Sequence, residues 1–158
     1  MIAAKLKAYL DEQGIRYEML THSPAYTAQE VAAAQHVPGR ELAKVVMVKA
    51  GNRFVMTVLP ASRKLDLVKL ANVLPERAAR LASEQEFAGL FPGCEPGSEP
   101  PFGNLFGLPV YVDTSLTKDE AIVFEAGTYT DTVRMRYADF ARLVQPDVGD
   151  FALTREEL

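Results

Sequence analysis

The chain has 158 residues, 48% hydrophobic and 24% charged, with a net charge of −4 and a pI of about 5.2; that length fits one domain spanning 1–158 with a core of its own, and the acidic balance excludes a broad footprint for duplex nucleic acid, DNA included. The single cysteine, Cys94, excludes an internal disulfide, and with only His22 and His36 beside it no Cys/His metal site is expected. No stretch approaches the roughly 18–20 apolar residues of a membrane span, and the N-terminal segment MIAAKLKAYLDEQG carries Lys5, Lys7, Asp11 and Glu12 where a signal peptide is apolar, so no membrane association and a cytoplasmic location are expected.

Ile2, Leu6, Tyr9 and Leu10 recur at helical spacing and Gly14 follows as a stop, which predicts an opening amphipathic helix. Ile15–Leu20 reads as a short strand. Thr27-Ala28-Gln29-Glu30 has the capping-box pattern, in which hydroxyl and carboxylate each satisfy the other residue's N–H, and predicts a helix through about Gln35 ended by Pro38-Gly39. Ala43–Ala50 and Arg53–Leu59 are β-rich runs joined by Gly51-Asn52, the composition of a two-residue hairpin turn. Pro60 stops the second strand, Asp66–Leu74 reads as a helix, and Ser83-Glu84-Gln85-Glu86 repeats the capping box before Phe87, Leu90 and Phe91. Beyond a Gly/Pro-rich loop, residues 108–113, 121–124 and 130–136 read as strands and Tyr137–Val144 as a closing helix. Connections between strands are often too short for helical crossovers, so the expected fold is α/β of the α+β type, with a mixed, mostly antiparallel sheet and flanking helices.

No GxSxG, HExxH, GxGxxG or GxxxxGK[ST] pattern occurs. Cys94 lacks a histidine nearby in sequence, and a thiol nucleophile requires an oriented base. The basic residues Arg53, Arg63, Lys64 and Lys69 gather weakly and read as a solvated face. Lys44 is different: it begins the otherwise apolar strand AKVVMVKA. There it is either a lysine snorkelling at a strand end or a partly desolvated ammonium able to bind a phosphate or polarise a carbonyl. The segment Gly97-Ser98-Glu99-Pro100-Pro101-Phe102-Gly103 is likewise open to two readings. Gly and Pro mark ordinary turns, yet two prolines stiffen a backbone that glycines leave free to approach a ligand, and fixed N–H donors are what a developing oxyanion needs.

Lys44 and the Gly97–Pro101 loop, together with HSPAYTAQEVA, AKVVMVKAG, PPFGNLFGLPVYVD and AIVFEAGTYTDTVRM, resemble the YbaK/ProX family of aminoacyl-tRNA deacylases, found free-standing and as the editing insertion of bacterial prolyl-tRNA synthetases. The resemblance implies a sheet curled around a small pocket, with no cofactor, and hydrolysis of the ester of a small, wrongly charged amino acid on a tRNA. It gives Lys44 and Gly97 the catalytic roles: Lys44 at the terminal adenosine phosphate or the scissile carbonyl, and the N–H groups near Gly97 at the oxyanion. Ser98, Pro101, Gly103, Thr27, Gly127 and Tyr129 would line the substrate, the attacking group being water or a ribose hydroxyl. The implied partners are the aminoacylated tRNA 3′ acceptor end and an aminoacyl-tRNA synthetase as carrier. Family members often carry Asn and His where this chain has Glu125 and Tyr129. That departure keeps a second class of function open, a non-catalytic module of the same fold that docks tRNA ends or a synthetase, and a Cys94 thiol enzyme is a third.

Overall fold

A computed structural model describes residues 3–153, so the expected helical position Ile2 lies outside the described residues. In chain order the helices are α1 (Ala4–Glu12), α2 (Ala28–Gln35), α3 (Leu67–Val73), α4 (Glu84–Phe87) and α5 (Tyr137–Val144). The strands are β1 (Tyr17–Thr21), β2 (Ala43–Ala50), β3 (Arg53–Pro60), β4 (Arg80–Leu81), β5 (Val110–Asp113), β6 (Ala121–Glu125), β7 (Asp131–Arg136) and β8 (Asp147–Gly149).

The β2–β3 hairpin organises the larger sheet. Its β-branched runs pair from Ala50↔Arg53 to Ala43↔Pro60, and Gly51, at φ +59°, supplies the left-handed turn residue the connection demands. β4 adds to the free edge of β2, while β5 pairs parallel to β3 and β8 parallel to β5, giving the order β4-β2-β3-β5-β8. A second, antiparallel sheet has the order β1-β7-β6. The two meet at a parallel bridge between Leu42 and Val123, where the Val123 N–H donates to the Glu41 carbonyl at 3.0 Å. The architecture is thus of the α+β class, with one mixed and one antiparallel sheet and flanking helices.

Side-chain alternation divides the interior. Met47, Met56 and Val58 face Ile122, Phe124, Val133 and Met135 of the second sheet, with Phe102 and Phe140 between. The Phe102 and Phe140 rings meet edge-on, 5.3 Å between centroids, and each fully buried ring contributes on the order of 1.5–3 kcal/mol. The opposite face of the hairpin, through Val48, Val55 and Leu59, packs on Leu70 and Leu74 at α3. Further along that face, Leu42 and Val123 take the apolar side of α2 through Val31 and Ala32. Asp113 closes the far edge: it accepts the N–H groups of Phe151 and Ala152, both at 2.8 Å, and so ties the C-terminal segment to β5.

Both capping boxes form as expected, on Thr27 and on Ser83. α2 runs to Gln35 as expected, and His36, in the left-handed conformation, caps it ahead of Pro38-Gly39. The weak basic cluster is split. Arg53 sits at the hairpin turn, bound to Glu76, while Arg63 and Lys64 follow the opposite end of β3. No helix among the described residues is long and apolar enough to cross a membrane.

Candidate functional site at the Gly/Pro loop

The loop that follows α4 is bonded to the turn between β6 and β7 at four points. The Glu95 N–H donates to the Gly127 carbonyl and the Gly127 N–H returns to the Ser98 carbonyl, each at 2.9 Å. Tyr129 doubles the connection: its N–H donates to the Glu95 carboxylate and its hydroxyl to the Pro96 carbonyl, both at 2.6 Å. Within the loop, the Ser98 N–H and hydroxyl both donate to the Glu95 carbonyl, at 3.0 and 2.6 Å. Pro100 and Pro101 are buried beneath. Gly97 stands exposed at the crest with φ +86°, a conformation that glycine adopts at no steric cost, and its N–H donates to Oε1 of Glu99 at 2.9 Å. Gly97, Ser98, Gly127 and Tyr129, four of the residues singled out in the sequence, are therefore brought together. Glu95 and Glu99 complete the arrangement. Sequence pattern did not mark them, since a glutamate in a Gly/Pro loop looks like solvation.

Lys44 stands at the start of β2, just past the sheet junction, and no bond among the described residues joins it to the loop. Leu42 bridges Val123 in parallel, so Lys44 and Glu125 each lie two residues beyond that bridge, on the face their strands share with Leu42 and Val123. Burial, reinforced by the neighbouring Lys64 charge, lowers the Lys44 pKa. Burial raises the Glu99 carboxyl, outweighing the opposing pull of the Gly97 N–H. Burial and then the Glu99 charge push Glu125 up to about 8. An exposed depression of about 360 Å³, lined by Pro38, Gly39, Arg40, Ser62 and Arg63, lies close to Lys44 along the chain. It does not include Lys44 or Gly97, and its cationic rim suits a phosphate rather than an acyl group.

The remaining sequence candidates have other partners. The Thr27 hydroxyl accepts the Glu30 N–H in the capping box of α2. Gly103 lies where a Cβ would come within 2.6 Å of Val110 and 2.9 Å of the Leu108 carbonyl, so close packing demands glycine there. Cys94 is half-buried, and burial followed by the Glu99 charge pushes its thiol up to about 11, which keeps it un-ionised and a poor nucleophile. An S-x-x-K spacing, not among those candidates, occurs at Ser115 and Lys118, and there the Ser115 hydroxyl donates to the Asp113 carboxylate.

Three buried polar atoms near the site have no hydrogen-bond partner among the described residues: Nε2 of His22, Oε1 of Glu125 and Oγ1 of Thr132. Glu125 and Thr132 are cross-strand partners. No sequence motif marks this group, because the three positions come together only through strand register.

Comparison with known proteins identifies the family. The profile of the family described as "Aminoacyl-tRNA editing domain" matches residues 22–143, and the chain belongs to that family. Over 155 residues it is 29% identical to the multifunctional Ser/Thr-tRNA deacylase ProXp-y of Escherichia coli K12, covering 95% of this chain and 92% of that one. A proline–tRNA ligase of Thiobacillus denitrificans is 36% identical over 130 residues, which span 77% of this chain and 21% of the ligase. Among solved structures, a candidate trans-editing enzyme for prolyl-tRNA synthetase superposes with a TM-score of 0.80 at 22% identity, covering 96% of this chain and 97% of that one. The hypothetical protein APE2540 does so with a TM-score of 0.84 at 20% identity, covering 94% and 99%. These two show the fold.

Proposed function

We propose that this chain is a trans-editing aminoacyl-tRNA deacylase, hydrolysing the ester between a small, mischarged amino acid and the 3′-terminal ribose of a tRNA. The observation that carries the reading is the Gly97 N–H, held in a left-handed conformation by a loop anchored on both sides and already meeting an anionic oxygen at 2.9 Å. Oε1 of Glu99 stands where a substrate oxyanion would accept the same bond.

Water adds to the ester carbonyl carbon and gives up a proton; a ribose hydroxyl adding first would only move the acyl group along the ribose, and water would still have to complete the hydrolysis. The carbonyl oxygen takes up the negative charge against the Gly97 N–H, and the bond to the ribose oxygen then breaks as that oxygen gains a proton. An aminoacyl ester is activated enough that positioning and oxyanion stabilisation do most of what is required. Lys44, half-buried and with no carboxylate to neutralise it among the described residues, supplies positive charge to the terminal phosphate or the polarised carbonyl. Arg40 and Arg63 border the depression beyond it and suit the phosphates of the single-stranded acceptor end. A synthetase delivering the charged tRNA, in the cytoplasm, accommodates the acidic net charge. Ser98, Pro101 and Gly103 hold the loop, Thr27 anchors α2, and Gly127 and Tyr129 border the acyl group.

The test is deacylation of Ala-, Ser-, Thr- and Cys-charged tRNAs by the full chain and by Lys44→Ala. Turnover of at least one, reduced on the order of 10²-fold in the variant, supports the reading. A second reading, a tRNA-docking module without turnover, is favoured by one observation, that Glu99 occupies the Gly97 donor. Saturable binding of charged tRNA with no ester loss would establish it instead.

A further inference from the structure

On one face of the β1-β7-β6 sheet lie three side chains with buried polar atoms that bond to nothing among the described residues. Glu125 and Thr132 are directly opposed across β6 and β7, an arrangement that sets Cβ atoms about 4.5–5.5 Å apart. Beyond β1, the ladder continues by one bond from the His22 N–H to the Thr130 carbonyl at 2.8 Å, which places His22 diagonally from Thr132 on the same face. Thr132 is fully buried and His22 is 9% exposed, yet Oγ1 of the one and Nε2 of the other are unpartnered, as is Oε1 of Glu125. A buried polar atom left unpaired is costly, so three on one sheet face mark a candidate site for a group absent from the free chain.

The donor and acceptor roles decide what that something is. Nδ1 of His22 lies 2.6 Å from the Ser23 carbonyl oxygen, which can only accept, so Nδ1 carries the proton and Nε2 of the neutral ring is an acceptor. The Glu125 carboxylate accepts, and the Thr132 hydroxyl can do so. Three potential acceptors on one face, one of them a carboxyl that an incoming cation would ionise, call for a compact cation with three N–H donors.

We propose that His22, Glu125 and Thr132 form an ammonium subsite, which receives the protonated amine of the aminoacyl ester while its carbonyl faces Gly97. This rests on the deacylase reading. Glu125 sits beside the Gly97 loop through the β6–β7 turn, so an α-ammonium one carbon from the carbonyl can reach it. A carboxyl pushed up to about 8 by burial has much to gain from an incoming cation. The subsite would add selectivity of a kind that pocket size alone cannot: it engages the feature common to all aminoacyl esters and absent from N-blocked or plain acyl esters.

The probe is 3′-seryl-amido-3′-deoxyadenosine, a non-hydrolysable mimic of the charged terminus, titrated calorimetrically into the full chain beside its N-acetyl form. The Nα-acetyl-lysyl amide, whose only ammonium is on the side chain, is the third ligand. Wild type should bind the seryl amide about tenfold or more tightly than the N-acetyl form. Glu125→Gln and Thr132→Val, near-isosteric and checked for folding by circular dichroism, should reduce that ratio to below about threefold. Preferred binding of the lysyl amide, whose α-amine is blocked, would overturn the assignment of the subsite to the α-ammonium. Equal affinity for seryl and N-acetyl forms overturns the proposal, as does failure of every amide to bind. Deacylation assays on the same preparations separate the two conclusions. Activity without discrimination removes the subsite alone, whereas discrimination without activity removes the proposed reaction alone.

Discussion

The N–H of Gly97 and the carboxylate of Glu99, two residues apart, are bonded at 2.9 Å, so the donor best placed for an oxyanion is already occupied by an acid of the same loop. In the proposed reaction a substrate carbonyl displaces that carboxylate, whose charge would also repel the developing oxyanion. Glu99→Ala should therefore lower KM for mischarged tRNA by about two- to tenfold with little change in kcat. A loss of turnover of about a hundredfold or more would instead make Glu99 part of the chemistry.

Tyr129 holds the loop through its hydroxyl on Pro96 and its N–H on Glu95. Tyr129→Phe removes only the first of these. The expected loss of stability is about 0.5–1.5 kcal/mol by urea unfolding, with kcat/KM falling several-fold because the Gly97 donor is less firmly positioned. Unchanged kinetics would separate the turn from the site.

Glu125 has the opposite pH signature from most carboxylates. Its ordinary value of 4.5 is raised to about 8 by burial and the Glu99 charge, so the folded state holds a proton that the unfolded state gives up between those values. Its contribution is fully present below pH 4.5 and declines as pH rises towards 8. Glu125→Gln should flatten this part of the stability profile and gain most, relative to wild type, near pH 8. Urea midpoints at about pH 5 and about pH 8 measure it, and an identical slope in the variant would contradict the assignment.

Asp113 runs the other way. Burial opposes its ionisation, but bonds from Ser115 and from the Phe151 and Ala152 N–H groups prevail and hold its pKa below the usual carboxylate range. Its contribution is present above the unfolded carboxylate pKa and is lost as pH falls through the lower folded value. Asp113→Ala strands three backbone N–H groups, those of Ser115, Phe151 and Ala152, and should cost about 2–4 kcal/mol while leaving kcat untouched. A thermal melt paired with the deacylation assay checks both halves.

Local signals carried much of the fold. The Gly51-Asn52 turn and the β-branched runs around it fix the hairpin, Thr27 and Ser83, each with a glutamate three residues on, announce helices that start at the next residue, and α5 begins and ends where its apolar spacing does. What stayed hidden is non-local. β4 and β8 have two and three residues, too few for any periodicity, and the parallel pairing of β3 with β5 joins positions more than fifty residues apart. The strand expected over Ile15–Leu20 lies instead at Tyr17–Thr21, because pairing with β7 rather than local composition decides where it starts. For the site, Lys44 and Gly97 stand out through their type and neighbours. Glu99, Glu95 and Thr132 acquire their significance only from partners far along the chain or from a bond within a loop of unusual backbone.

The four bonds between residues 95–98 and residues 127–129 have a consequence for protein engineering. Neither segment is an independent module: a Gly/Pro loop transplanted by itself into another scaffold of this fold would arrive without the tyrosine and glycine that hold its crest in place. Acyl preference should transfer between homologues only when both segments are exchanged as one cassette.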